Sequence, residues 1–271
     1  MSTQSVTEAR AFVQQAELPP LTRDVVAGRA AAPDFVFEKA KEQAAVVGSD
    51  VIGFVKGITP EQRSDLVNAS TLAQLVAKAK VPAPQNLKDV LEWYKSYFNT
   101  LSNIGFAVQE QGFAEYTEDA STFEAHEAIL EVAKVLLAGA PAALTVVTKT
   151  LESLKKMSAD SPWITLFNRE SRSAKTGRFQ VTLAEPDATG GLLVTMMAFG
   201  MEAKATITQV LFFKFKKNEA RLQHHSGKVT INSTVLTAVR DDIADKLKAH
   251  AKSFVAGLPP LPDLPPAGGG G

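Results

Sequence analysis

Residues Lys204–Val235, KATITQVLFFKFKKNEARLQHHSGKVTINSTV, carry the pattern that decides the fold class. In the first half Ala205, Ile207, Leu211, Phe213 and Phe215 are apolar at odd positions, while Thr206, Thr208, Lys214 and Lys216 take even ones. Period 2 predicts a strand with one face on a core and the other largely wet. Beyond Gly227 the odd face continues with Val229, Ile231 and Val235, but Ala220 and Leu222 are apolar at even positions. A slip of one residue exchanges the faces. The pattern therefore predicts an antiparallel pair with a Lys217-Asn218 corner, and a bulge or tight turn at Ser226-Gly227 that restores the register.

Working back toward the N-terminus, strand-like periodicity extends to Ser161-Pro162. It predicts strands at Trp163–Phe167 and Arg178–Leu183, a charged loop at 168–177, and a central strand at Leu192–Met201, whose nearly unbroken apolar run suits burial on both faces. Working forward, Leu236, Val239, Ile243, Leu247, Ala251 and Phe254 lay out an amphipathic helix ending at Gly257. Its acidic first half and lysine-rich second half complement the helix dipole.

Before Pro162 the period is helical. Val36, Ala40, Ala44, Val47, Val51 and Val55 predict a helix opened by Asp34 and closed at Gly57. Thr59-Pro60-Glu61-Gln62 combines a capping threonine, proline at the first helical position and a glutamine that completes the box, so a second helix runs from there to Pro82, with a break near 68–70. Further helices are expected at 86–112, 121–138 and 142–156, the last two separated by Gly139-Ala140-Pro141. A short helix at Val6–Ala16 precedes Leu18-Pro19-Pro20-Leu21, and the LPPL motif recurs at Leu258–Leu261.

Runs of helices followed by runs of strands predict an α+β fold. About five N-terminal helices would pack on a C-terminal antiparallel sheet of four or more strands, closed by an amphipathic helix. The expected divisions are an N-terminal arm at 1–33, a helical region at 34–160, the sheet and C-terminal helix at 161–257, and a Pro/Gly-rich tail at 258–271.

Composition narrows function mainly by exclusion. Lysine plus arginine equal aspartate plus glutamate at 29 each, which argues against a general nucleic-acid binder. With no cysteine, disulfides, thiolate catalysis and cysteine-based zinc sites are ruled out. The first residues lack an apolar core of signal-peptide type, and no uncharged apolar run reaches the roughly 18 residues of a span. A soluble chain is expected, cytoplasmic or exported by a leaderless route.

No catalytic or cofactor-binding residue can be nominated, and no metal ligand is assigned. His126-Glu127 begins like HExxH, but the second histidine is replaced by Leu130. His224 and His225 are adjacent on a strand, point to opposite faces and cannot chelate together; both are expected to face solvent.

Two functional expectations follow. The first is a non-enzymatic binding or self-assembly protein. Between Trp163 and Val239 there are ten Lys or Arg against five Asp or Glu, while 109–131 holds seven acids and no base. A basic sheet face formed by Phe212, Lys214, Lys216, Arg221 and Lys228 would dock a protein partner, another copy of the chain or an anionic lipid membrane, with the LPPL arms as clasps. The second is a leaderless, soluble, membrane-active protein of the helical pore-forming kind. Its inserting element would lie in the uncharged run VLLAGAPAALTVV, through Val135, Leu136, Leu137, Leu144, Val146 and Val147, or in Leu192–Met201.

Overall fold

The computed structural model describes residues 5–20, 36–108, 113–116, 122–211, 214–216, 219–250 and 255–257, of which 122–123, 214–216 and 256–257 are described by backbone alone. In chain order the elements are α1 (Val6–Gln15), β1 (Gln43–Val47), β2 (Asp50–Phe54), α2 (Pro60–Lys80), α3 (Leu87–Asn103), β3 (Phe106–Ala107), β4 (Ala114–Glu115), β5 (Thr122–Glu124), α4 (Ala125–Leu136), α5 (Pro141–Lys156), α6 (Pro162–Ser171), β6 (Arg172–Ser173), β7 (Thr176–Pro186), β8 (Leu192–Ala203), β9 (Lys214–Lys216), β10 (Ala220–Ile231), α7 (Ser233–Leu247) and β11 (Val255–Gly257). The fold is α+β overall, with helices interspersed among strands.

A nine-stranded sheet runs in the order β11-β1-β2-β7-β8-β10-β3, with β4 also on β10 and β6 on β7, while β5 pairs separately with β9. Its pairings are antiparallel except β2 with β7, which is parallel. The odd residues Phe179, Val181, Leu183, Met197, Phe199 and Met201 belong to one core, under α4, α5 and α6. The even residues Ala184, Val194, Met196 and Ala198 belong to another, under α1, α2, α3 and α7. Helices thus cover both faces of the sheet, and its middle strands have no wet side.

This two-sided cover explains the change of phase in β10. Ala220 and Leu222 enter the first core, Val229 the second. Its pairing with β8 runs without interruption from Ala220↔Ala203 to Val229↔Val194. The bulge expected at Ser226-Gly227 is therefore absent. The phase changes because each end of the strand is covered on a different face. The strand expected over 205–216 is also corrected: Lys204–Leu211 is irregular chain, and among the described residues of the stretch only Lys214–Lys216 pairs, with β5.

Within the stretch expected as a helix from Asp34 to Gly57, Gln43–Phe54 form the β1–β2 hairpin. Gly48, at φ 55°, supplies the positive dihedral that a two-residue turn with glycine first requires. Trp163–Phe167, expected as a strand, lies inside α6, where Ser161 caps Ile164 N and Pro162 opens the helix. The Thr59 box is present, and α2 continues unbroken through 68–70. At the start of the stretch expected as an arm, α1 is docked instead, with Ala9 and Val13 buried and Arg10 Nε 2.9 Å from Asp242 Oδ2 on α7. The second LPPL motif and the Pro/Gly-rich tail lie outside the described residues.

Candidate functional site

The hairpin formed by α4 and α5 combines an apolar tip with a polar base. Both helices bury one stripe against the odd face of the sheet: Ala125, Ala128, Ile129, Val132 and Ala133 from α4, and Ala143, Val146, Val147, Leu151 and Leu154 from α5. α5 comes close because β2 has glycine at position 53. A Cβ built there would lie 2.9 Å from Val146 Cγ1.

At the tip the inward stripe ends but the apolar composition continues. Val135 is 83% exposed, and Ala138, Gly139, Pro141 and Ala142 are also exposed. Leu136 and Leu144 are half-buried, whereas Leu137, Val146 and Val147 are in the core. Of the six residues expected to serve membrane insertion, the structure thus places one in solvent, two at the boundary and three inside. No helix among the described residues is long and apolar enough to cross a membrane.

At the base, Glu124 caps α4, its backbone N–H donating to Glu127 Oε2 at 3.1 Å, and the His126 N–H donates to the Leu211 carbonyl at 3.0 Å. The His126 ring is buried between two charges: Nδ1 lies 3.0 Å from Glu124 Oε2 and Nε2 3.3 Å from Lys155 Nζ. The Lys155 ammonium is placed to donate to Nε2, and the Glu124 carboxylate lies beside Nδ1. Glu124 and Lys155 face a cavity of about 290 Å³, lined also by Leu154, Met157, Ala159, Ile164 and Gln209. Glu124, His126 and Glu127 bring potential ligand atoms within 4.8 Å of one another, a grouping that the HExxH comparison did not reveal. The Lys155 ammonium at Nε2 opposes a cation on that side of the ring.

The residues expected to form a basic face do not converge where they can be placed. Arg221 and Lys228 are both exposed, but seven positions apart on one continuous strand they project from opposite faces. Phe212 and the side chains of Lys214 and Lys216 lie outside the described residues. His224 and His225 do point to opposite faces, yet neither faces open solvent. The His224 ring lies 6.2 Å from Phe199 and 6.3 Å from Tyr116, and burial lowers its pKa. The His225 ring is buried, 5.2 Å from Phe98 and 5.7 Å from Phe113.

Sequence patterning also missed a polar seam between the even face of the sheet and the helices α2 and α3. Asp50 Oδ2 accepts from the Ser70 hydroxyl at 3.0 Å and the Thr182 hydroxyl at 2.9 Å. Gln74 accepts the Ser49 N–H at 2.9 Å and donates to the Val47 carbonyl at 2.7 Å. The Tyr94 hydroxyl lies 2.9 and 3.0 Å from the Phe179 and Phe199 carbonyls of adjacent strands. Burial pushes the Asp50 carboxyl up to about 7, against the opposing effect of the Thr182 and Ser70 hydroxyls.

The chain matches no family model and no curated protein. Among solved structures it is similar to a delta-endotoxin, with a TM-score of 0.36, 13% identity, and coverage of 81% of this chain and 95% of the other. It is also similar to the Evf virulence factor, with a TM-score of 0.39, 12% identity, and coverage of 88% and 89%. Values this low transfer neither function nor mechanism.

Proposed function

We propose that this is a binding protein that docks on membrane surface through the tip of the α4–α5 hairpin. The observation that carries this reading is the solvent exposure of Val135 at the head of an uncharged stretch, with Leu136, Ala138, Pro141, Ala142 and Leu144 around it. Exposed apolar surface costs free energy unless something covers it. Thirteen residues are too few to span a bilayer. A helical tip that seats an apolar edge at the boundary between headgroups and acyl chains needs no span. Leu137, Val146 and Val147 would stay in the core, so contact leaves the fold intact.

Co-flotation of the purified chain with vesicles, neutral and containing phosphatidylserine, tests this reading. Val135→Glu removes apolar contact at an exposed position and should fold normally while losing vesicle binding. Absence of binding by the parent chain across pH and lipid charge would sink the proposal. A second reading, docking of an acidic protein partner or another copy of the chain through Arg221, Lys228, Lys214 and Lys216, has the exposure of Arg221 and Lys228 in its favour. Their placement on opposite faces gives it less support than the tip has.

A further inference from the structure

Where α6 ends and β7 begins, two of three cations share one carboxylate. Glu170 is buried, with Oε2 2.7 Å from Lys78 Nζ of α2 and Oε1 2.9 Å from Arg169 Nε. The third cation is Arg178, whose side chain makes no hydrogen bond or ion pair among the described residues. Its Nε is buried without a partner, and its Cζ lies 4.7 Å over the Trp93 ring. Ser171 ends α6, just before the Arg172↔Gly177 pair that brings β6 onto β7 beside Arg178. Its hydroxyl is likewise buried without a partner.

Arg178 Nε and the Ser171 hydroxyl are thus buried donors without acceptors among the described residues. A buried guanidinium without a counter-charge is costly, and the neighbouring carboxylate is already engaged by two other cations. Burial pulls the Arg178 pKa down, and Glu170 is the charge that most opposes it. The Lys78 and Arg169 side chains are 31% and 37% exposed, whereas Arg178 and Ser171 are buried.

We propose that the corner formed by Lys78, Arg169, Ser171 and Arg178 binds a phosphate-type oxyanion, taken as a free anion or as the phosphate of a lipid headgroup. Three or four oxygens around one centre would match donors arriving from α2, α6 and β7, and arginine suits such an anion through its planar fork of N–H groups. Arg178 lies on the even face of the sheet and the hairpin on the odd face, so the site is independent of the tip.

Thermal unfolding of the full chain in inorganic phosphate and in chloride, at matched ionic strength, tests the proposal. Expected is a saturable rise in melting temperature with phosphate alone. It should be lost in Arg178→Gln and weakened about tenfold in apparent affinity in Lys78→Gln, one full charge contact corresponding to about 1.4 kcal/mol. Since Arg178→Gln changes a buried site, Lys78→Gln and Arg169→Gln at the partly exposed positions keep the test decisive if it fails to fold. Glycerol 3-phosphate and vesicles containing phosphatidic acid separate the two sources. Protection by either that depends on Lys78 supports the site. Equal melting in phosphate and chloride with no such protection, or a shift that persists in Lys78→Gln combined with Arg169→Gln, overturns it.

Discussion

The Thr182 hydroxyl of β7 donates to Asp50 Oδ2 of β2 at 2.9 Å, joining the parallel strand pair at a point closed to water. Asp50 Oδ1 makes no hydrogen bond among the described residues. The carboxyl is therefore held nearer its neutral form than an aspartate in water.

Its folded value of about 7 exceeds the ordinary 3.8, so the folded chain binds the proton more tightly than the unfolded chain. The resulting stabilisation is fully present below about pH 4 and is lost as pH rises toward 7. It amounts to about 4 kcal/mol at about 1.4 kcal/mol per pH unit. Asp50→Asn should flatten this part of the stability profile and be more stable than the parent at pH 8, as measured by urea unfolding across pH.

Gly53→Ala should destabilise the chain. Its methyl group would meet Val146 Cγ1 at 2.9 Å, with Leu183 Cδ1 at 3.5 Å on another side. Either α5 shifts or the side chains leave their preferred rotamers, at a cost of about 1–3 kcal/mol. Chemical denaturation measures the loss, and Val146→Ala in the same chain should recover part of it.

Arg63 is a fully buried staple between α2 and the β1–β2 hairpin. It donates to the carbonyls of Ile58, Lys41 and Val55 and, at 2.6 Å, to Gln43 Oε1, with Cζ 5.3 Å over the Phe54 ring. Arg63→Met keeps the length but leaves those acceptors without their donor. A loss of about 3 kcal/mol in unfolding free energy is expected, with amide exchange accelerating first in β1 and β2.

Arg240 of α7 grips Asp65 of α2 by two bonds, Nε to Oδ1 and Nη2 to Oδ2, each 2.7 Å. Arg240→Lys keeps the charge but cannot reproduce the fork. A loss of about 1 kcal/mol is expected, increasing little when salt is raised because Asp65 is buried.

The legible parts of the fold were those in which local chemistry and burial agree. Thr59-Pro60 announces α2, the short helix expected from Val6 is α1, and the apolar runs at 178–183 and 192–201 are strands. Ser161-Pro162 gives the same start signal as Thr59-Pro60, but the aromatic and β-branched residues after it read as a strand. Gln43–Phe54 misled for a different reason. A hairpin buried on both faces has no polar side, so its valines and alanines fall at helical spacing as readily as at strand spacing, and only Gly48 and the β-branched enrichment argued otherwise. The hairpin tip was visible as an uncharged run, but which of its residues escape the core depends on α5 packing at Gly53. The seam and the cationic corner gather residues from distant segments, and no local pattern in the chain announces them.

The parallel pairing of β2 with β7 bears on the timing of assembly. Asp50 and Thr182 are 132 positions apart, whereas β7, β8 and β10 join neighbours close in sequence. Closing so long a loop is entropically slow before other contacts reward it. On a ribosome, the β1–β2 hairpin emerges long before its partner strand exists. It must wait with a mostly apolar ribbon uncovered, so the newborn chain is most prone to stick to its neighbours in the interval before β7 appears.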